Sequence, residues 1–432
     1  MNNLQLNAQS YSSTQVSDGR YWPVIFNPLM LYFGFAVYQM VLMPIAFLIL
    51  IPEIVDTNFY FETFFVWCLF LAAVSLGWRI SRHFGQGVFN FLASALTLST
   101  DALILPSRLL KGGITVLVAL SGGCFCLLMA TSGAGFLWIT DSRAAYVNNK
   151  TGVGILWSLT FSCLALAFIF ALFLNASPSA ASRSALRGRV WTVIKLLVPY
   201  CIMISFLGSK QLIISFGIIG LVFFNYAVSP MQTRVFFYLV TLGILVILVL
   251  QIAQGTAKSL TDAIIYGDYF QNTSKFLQRF DEFGGYQYGK IAASNLWSYI
   301  PRALYPDKPN AYGSLLIDQI IYPGSTDTKY FPGMAPWVGD YLDAGVVGTA
   351  LSGIETGLFM GWAHNYYRER PTNIIRFIIL LQIGFGLLFP FVPIPAFTLL
   401  FLPVFCLTLQ IVRAYVSMRN SVRPRSLGQP ND

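Results

Sequence analysis

The chain has 432 residues, of which 56% are hydrophobic and 10% charged, with mean hydropathy +0.64 and a formal net charge of +9. A soluble globular protein carries about 25% charged residues, so this composition excludes an ordinary soluble enzyme. The basic residues are scattered over short loops rather than gathered in one stripe, which excludes nucleic acid as a partner.

Residues 1–27 read as a polar amino-terminal tail, with no cleavable signal peptide. Apolar runs of membrane-spanning length then recur at about 28–51, 60–79, 112–130, 153–174, 190–208, 211–229, 234–252, 342–362, 373–391 and 393–411. They predict an all-α polytopic membrane protein of about ten transmembrane helices. Seven fall within 28–252 and three within 342–411. The stretch 81–110 is apolar but short, and is expected to be an interfacial or re-entrant piece rather than a span. Residues 412–432 form a basic tail.

Orientation follows from the lysines and arginines. Placing Arg413, Arg419, Arg423 and Arg425 in the cytoplasm sends Arg79, Arg82, Arg108, Lys111, Arg183, Arg187, Arg189, Arg368 and Arg376 to the same side. Both termini are then cytoplasmic. Two polar stretches face outward, 131–152 and the long loop subdomain 253–341. Most acidic residues go with them.

The outward stretches hold the candidate chemistry. Arg143 and Arg302 keep their charge under all conditions and offer a planar fork that matches phosphate oxygens. Each is followed after ten residues by a glycine, Gly154 and Gly313. Lys308 lies in the rigid run Pro306-Asp307-Lys308-Pro309, and fits a phosphate contact, a solvated charge of an extramembrane loop or a lipid-headgroup anchor. Lys210 follows the tight turn Gly208-Ser209, where it either snorkels to the interface or meets a phosphate. Tyr288, Trp297, Tyr305 and Tyr312 suit stacking on sugar rings, and equally an interfacial aromatic belt. Asp340 and Asp281 are candidates to orient or deprotonate an acceptor hydroxyl. Glu355, inside an apolar run, is expected to be paired, protonated or facing a cavity. His83 and His364 fall on the cytoplasmic side. The six cysteines lie in spans as packing residues; no metal-ligand spacing and no nucleotide-binding loop is present, so neither metal nor cofactor is expected.

The phrase Ile300-Pro301-Arg302-Ala303-Leu304-Tyr305-Pro306-Asp307-Lys308-Pro309, the two arginine-to-glycine spacings, Gly208-Ser209-Lys210 and the segment 331–348 resemble the bacterial oligosaccharide-repeat-unit polymerases, the O-antigen polymerase family. Lys210 stands where that family often has arginine. The resemblance implies a GT-C-like glycosyltransferase of the bacterial inner membrane. Its substrate would be an undecaprenyl-pyrophosphate-linked oligosaccharide, joined to an acceptor repeat at the periplasmic face with inversion and without a metal. It further implies membrane lipids and a chain-length regulator as partners. Arg143, Lys210, Arg302 and Lys308 would then hold the pyrophosphate. An O-antigen ligase, or a flippase or transporter of lipid-linked oligosaccharide, is the alternative.

Overall fold

The computed structural model describes residues 27–50, 57–83, 107–149, 153–175, 183–228, 238, 241, 268–300, 305, 307–309, 311–323, 333–368 and 373–388. Among them the secondary structure is helical, with no strand. Helix α1 (Pro28–Val37) passes through a π-turn at Tyr38–Leu42 into α2 (Met43–Leu50). Four long helices follow: α3 (Tyr60–His83), α4 (Ser107–Thr131), α7 (Gly154–Asn175) and α8 (Arg183–Ser205). Between α4 and α7 sit the short α5 (Leu137–Thr140) and α6 (Ser142–Asn149). Helix α9 (Lys210–Phe223) follows the turn after α8.

Three short helices, then a long and a short one, complete the described order. They are α10 (Tyr269–Gln278), α11 (Lys290–Ser294) and α12 (Ser314–Ile321), then α13 (Val338–Arg368) and α14 (Ile374–Ile379).

Among the described residues, four helical stretches are long and apolar enough to cross a membrane: Pro28–Ile49, Tyr60–Arg82, Ser107–Thr131 and Gly154–Asn175. This corrects the expected architecture of about ten transmembrane helices. Apolar length alone predicts a span, but other features interrupt several of the expected ones. The apolar part of α8 is only Val190–Ser205, with Pro199 inside the helix and Arg183 at its start. The stretch Gln211–Ala227 ends in a π-turn, and Ile374–Gly384 stops after a single short helix and a π-turn. Helix α13 is broken at Ala344–Gly345, and its apolarity is diluted by glycines and Glu355. The expected spans 234–252 (apart from residues 238 and 241) and 393–411, both tails and most of 81–110 lie outside the described residues.

Two apolar clusters hold the helices together. One joins α4, α7, α8, α9, α14 and the end of α13. Helix α7 is buried on nearly all sides within it, as its lack of a polar face requires. The other joins α1, α3, α10, α12 and the start of α13. Gln39, buried in the π-turn, accepts a hydrogen bond at 2.9 Å from the Tyr269 amide, which fastens α10 to the first helix.

Helix α13 runs parallel to α3 in close contact. Gly353 faces Ala73 and Phe70, Gly357 faces Val74 and Trp78, and Gly361 faces Ser81. This four-residue repeat of glycines lets the two backbones approach in the manner of small-residue membrane interfaces. Glu355 falls on the opposite, exposed side of α13.

A side chain at Gly357 would collide with the Val74 carbonyl, whereas Gly122 on α4 has open space around it. Gly357→Leu is therefore expected to lower stability by about 1–3 kcal/mol, as overpacking does, while Gly122→Leu leaves it unchanged. Thermal unfolding in detergent checks this. Equal melting temperatures for the two variants would contradict the packing.

Candidate functional site

The helix directions place the two polar stretches at one end. Helices α3 and α13 are parallel. Helix α4 is antiparallel to α7, since Ser121 bonds the Thr160 carbonyl and Gly113 meets Phe170. Helix α14 pairs with both α7 and α13: Phe377 touches Phe173, and Arg376 donates to the Tyr366 carbonyl at 2.6 Å. Arg79, Arg82, Arg108, Lys111, Arg368 and Arg376 thus share one end. The 132–153 connection, the start of α9 and the start of α13 share the other.

At that other end, Arg143 lies in α6. Asp141 caps this helix by accepting from the Ala144 amide at 3.0 Å. The Arg143 guanidinium sits 5.6 Å from the Tyr146 ring, and Tyr146 packs on Trp157 at the head of α7. Trp157 in turn donates to the Leu207 carbonyl at 2.9 Å. Gly208 then turns with φ +67, so close to α6 that a Cβ would strike the Ser142 carbonyl. The turn predicted at Gly208-Ser209-Lys210 and the helix of Arg143 are therefore neighbours. Lys210 is the first residue of α9. Its side chain, and Arg302 altogether, lie outside the described residues.

The second group is organised by the break in α13. Ala344 and Gly345 are non-helical, with Gly345 at φ +61, ψ −145. The break frees carbonyls at the end of the first half-helix. The Leu342 and Asp343 carbonyls accept from the Gln287 and Tyr288 amides at 2.8 and 2.9 Å. In return the Asp343 carboxylate accepts from the Ile291 and Ala292 amides at 3.0 and 2.8 Å, at the start of α11. Each side satisfies the other's helix-end groups. Tyr286 closes over Gly345.

The predicted residues distribute over this frame. Tyr288 is 86% exposed and held at φ +48, a conformation that costs a non-glycine residue energy. Trp297 and Tyr305 stack on each other, with ring centres 5.3 Å apart. Lys308 is buried, not solvated: its Nζ donates to the Ile300 carbonyl at 3.0 Å and lies 4.7 Å from the Tyr312 ring. Asp281 is exposed in the 3-10 turn Phe280–Phe283. Asp340 is half-buried in the first half-helix of α13. Burial raises its carboxyl above the ordinary range, against a hydrogen bond from Ser352, and the Asp343 charge adds to the rise.

The two spaced glycines differ. Gly313 has φ +59, its amide donates to the Ser294 hydroxyl oxygen at 2.7 Å, and a Cβ there would collide with Asn295. Gly154 opens α7 with free space around it.

The chain is distantly similar to O-antigen polymerases. Those of Salmonella typhimurium strain LT2 and Salmonella typhi are each 26% identical to it over 264 residues, 58% of this chain. The chain spans 60% of the length of these curated relatives. No family model matches it. No solved structure matches either.

Asp343, Gly345 and Tyr146 complete the frame without having been singled out as site residues. Their signal is faint in sequence: a carboxylate two positions before a glycine, and a tyrosine one helical turn after the arginine.

Burial also acts on Asp318 in α12, pushing its carboxyl from an ordinary 3.8 up to about 7. The folded state then holds this proton more tightly than the unfolded chain. Stability is therefore highest below the ordinary value and falls as pH rises through about 7. Melting temperature is expected to fall between about pH 4 and 8, and Asp318→Asn to remove part of that slope. An unchanged slope in the variant would contradict the burial account.

Proposed function

We propose that this chain is a polyprenyl-pyrophosphate-dependent glycosyltransferase that polymerises lipid-linked oligosaccharide repeats at the end bearing Arg143. One observation carries the reading: α6 with Arg143, the turn leading into Lys210, and residues 287–292, bonded at the break in α13, all lie at the end opposite the arginine-rich one. The distant similarity to O-antigen polymerases supplies the chemistry. Arginine and lysine accumulate on cytoplasmic ends, so the Arg143 end faces the periplasm.

In this mechanism the acceptor sugar hydroxyl attacks the anomeric carbon of the donor. The anomeric carbon–oxygen bond breaks, and its electron pair leaves with the lipid pyrophosphate. Arg143, Arg302 and Lys210 surround that pyrophosphate and stabilise the charge it gains. Asp340 takes the hydroxyl proton, a role supported by its raised affinity for one. One displacement at the anomeric carbon inverts it. Lys308 is already engaged by Ile300 and Tyr312, so it shapes the loop that carries Arg302. Tyr288, Trp297, Tyr305 and Tyr312 offer faces for the glycan.

Arg143→Ala and Arg302→Ala are each expected to lower polymer formation by roughly a hundredfold or more, the scale of losing one charge-stabilising donor. Single repeats should persist, and Arg108→Ala at the other end should be neutral. Polysaccharide length profiles from cells carrying each variant at equal membrane levels check this. Wild-type profiles for both loop variants would sink the reading. Accumulation of long lipid-linked polymer would point to ligation instead.

A further inference from the structure

A cavity of about 380 Å³ opens at the opposite, arginine-bearing end, between α1, α3, α13 and Tyr226 after α9. Arg79 and Arg82 of α3 and Arg368 of α13 line it, and among the described residues no lining residue is a carboxylate. All three arginines are exposed. They contrast with Arg376 nearby, which is buried against the Tyr366 ring and carbonyl. Arg79 and Arg82 lie three residues apart on one helix face, and the parallel course of α3 and α13 brings Arg368 to the same end. Deeper in the wall sits His364, 5% exposed, whose Nδ1 has no hydrogen-bond partner among the described residues. The rest of the lining is largely apolar. Met30 and Phe33 belong to it, and α1 with its following π-turn continues from them with Val37 and Val41 exposed.

We propose that this cavity binds the phosphate headgroup of an anionic membrane lipid, with the acyl chains lying along α1. The three arginines supply a positive rim, the buried imidazole a polar contact inside it, and α1 an apolar track continuous with the rim. Basic pockets between helices at a membrane surface favour such headgroups over neutral ones. An isolated inorganic phosphate would meet the same guanidinium groups but leave the apolar track unused.

The test uses the full-length protein purified in neutral detergent. It is given phosphatidylglycerol or phosphatidylcholine at equal concentration, and bound lipid is read by native mass spectrometry. Wild type is expected to retain phosphatidylglycerol at least tenfold better, given about 1 kcal/mol for each basic residue near the surface. Arg79→Gln/Arg82→Gln/Arg368→Gln should lose that preference, while Arg108→Gln/Lys111→Gln, away from the cavity, keeps it. Equal retention of the two lipids by wild type would overturn the proposal without recourse to any variant. So would an unchanged preference in the triple variant. Displacement of the lipid by inorganic phosphate at equal concentration would assign the site to a free anion and overturn the lipid assignment.

Discussion

The break at Ala344–Gly345 is the constraint on which the candidate site depends. A helix that stops inside a packed structure leaves carbonyls that must find donors. Here they find Gln287 and Tyr288, and the Asp343 side chain repays the debt to Ile291 and Ala292. Because these bonds run both ways, the position of α13 fixes residues 287–292, and they fix α11 and the 3-10 turn after it. Ser294 and Asn295 then hold Gly313. A chain of short-range hydrogen bonds thereby connects a long helix to the aromatic loop.

That helix is itself held tightly. The glycine repeat Gly353, Gly357 and Gly361 seats α13 against α3 without side chains between the backbones. Arg143 is positioned from a different direction, through Asp141, Tyr146, Trp157 and the Leu207 carbonyl. The two groups belong to separate apolar clusters and meet only in being raised to the same end. Arg143 is thus held by one cluster, and the loop segment carrying Tyr288 is tied to the other.

Helical content was legible in the sequence because apolar runs dominate it. The number of spans was not, since hydropathy cannot see Pro199, the Ala344–Gly345 break or the early stop of α14 at a π-turn. Charge patterning sorted the ends usefully: Arg79, Arg82, Arg108 and Arg368 do lie together, opposite Arg143. Individual roles were harder to read. Lys308 looks like a free cation in sequence, yet its ammonium is buried by a carbonyl eight residues away and a ring four residues away. Glu355 looks buried by its apolar neighbours, but α13 needs its glycine face for α3 and turns the carboxylate outward. Asp343 could not be distinguished from the other acids of the loop, because its partners are backbone amides about fifty residues away.

Hydrogen exchange of the loop amides tests the central claim most directly. In the wild type the amides of Gln287, Tyr288, Ile291 and Ala292 should be protected. In Asp343→Ala those of Ile291 and Ala292 should exchange at least tenfold faster, since each loses a charge-assisted hydrogen bond of about 1.5–3 kcal/mol, while α7 keeps its protection. Unchanged exchange at Ile291 and Ala292 in the variant would contradict the clamp, and with it the account of how α13 organises this end of the protein.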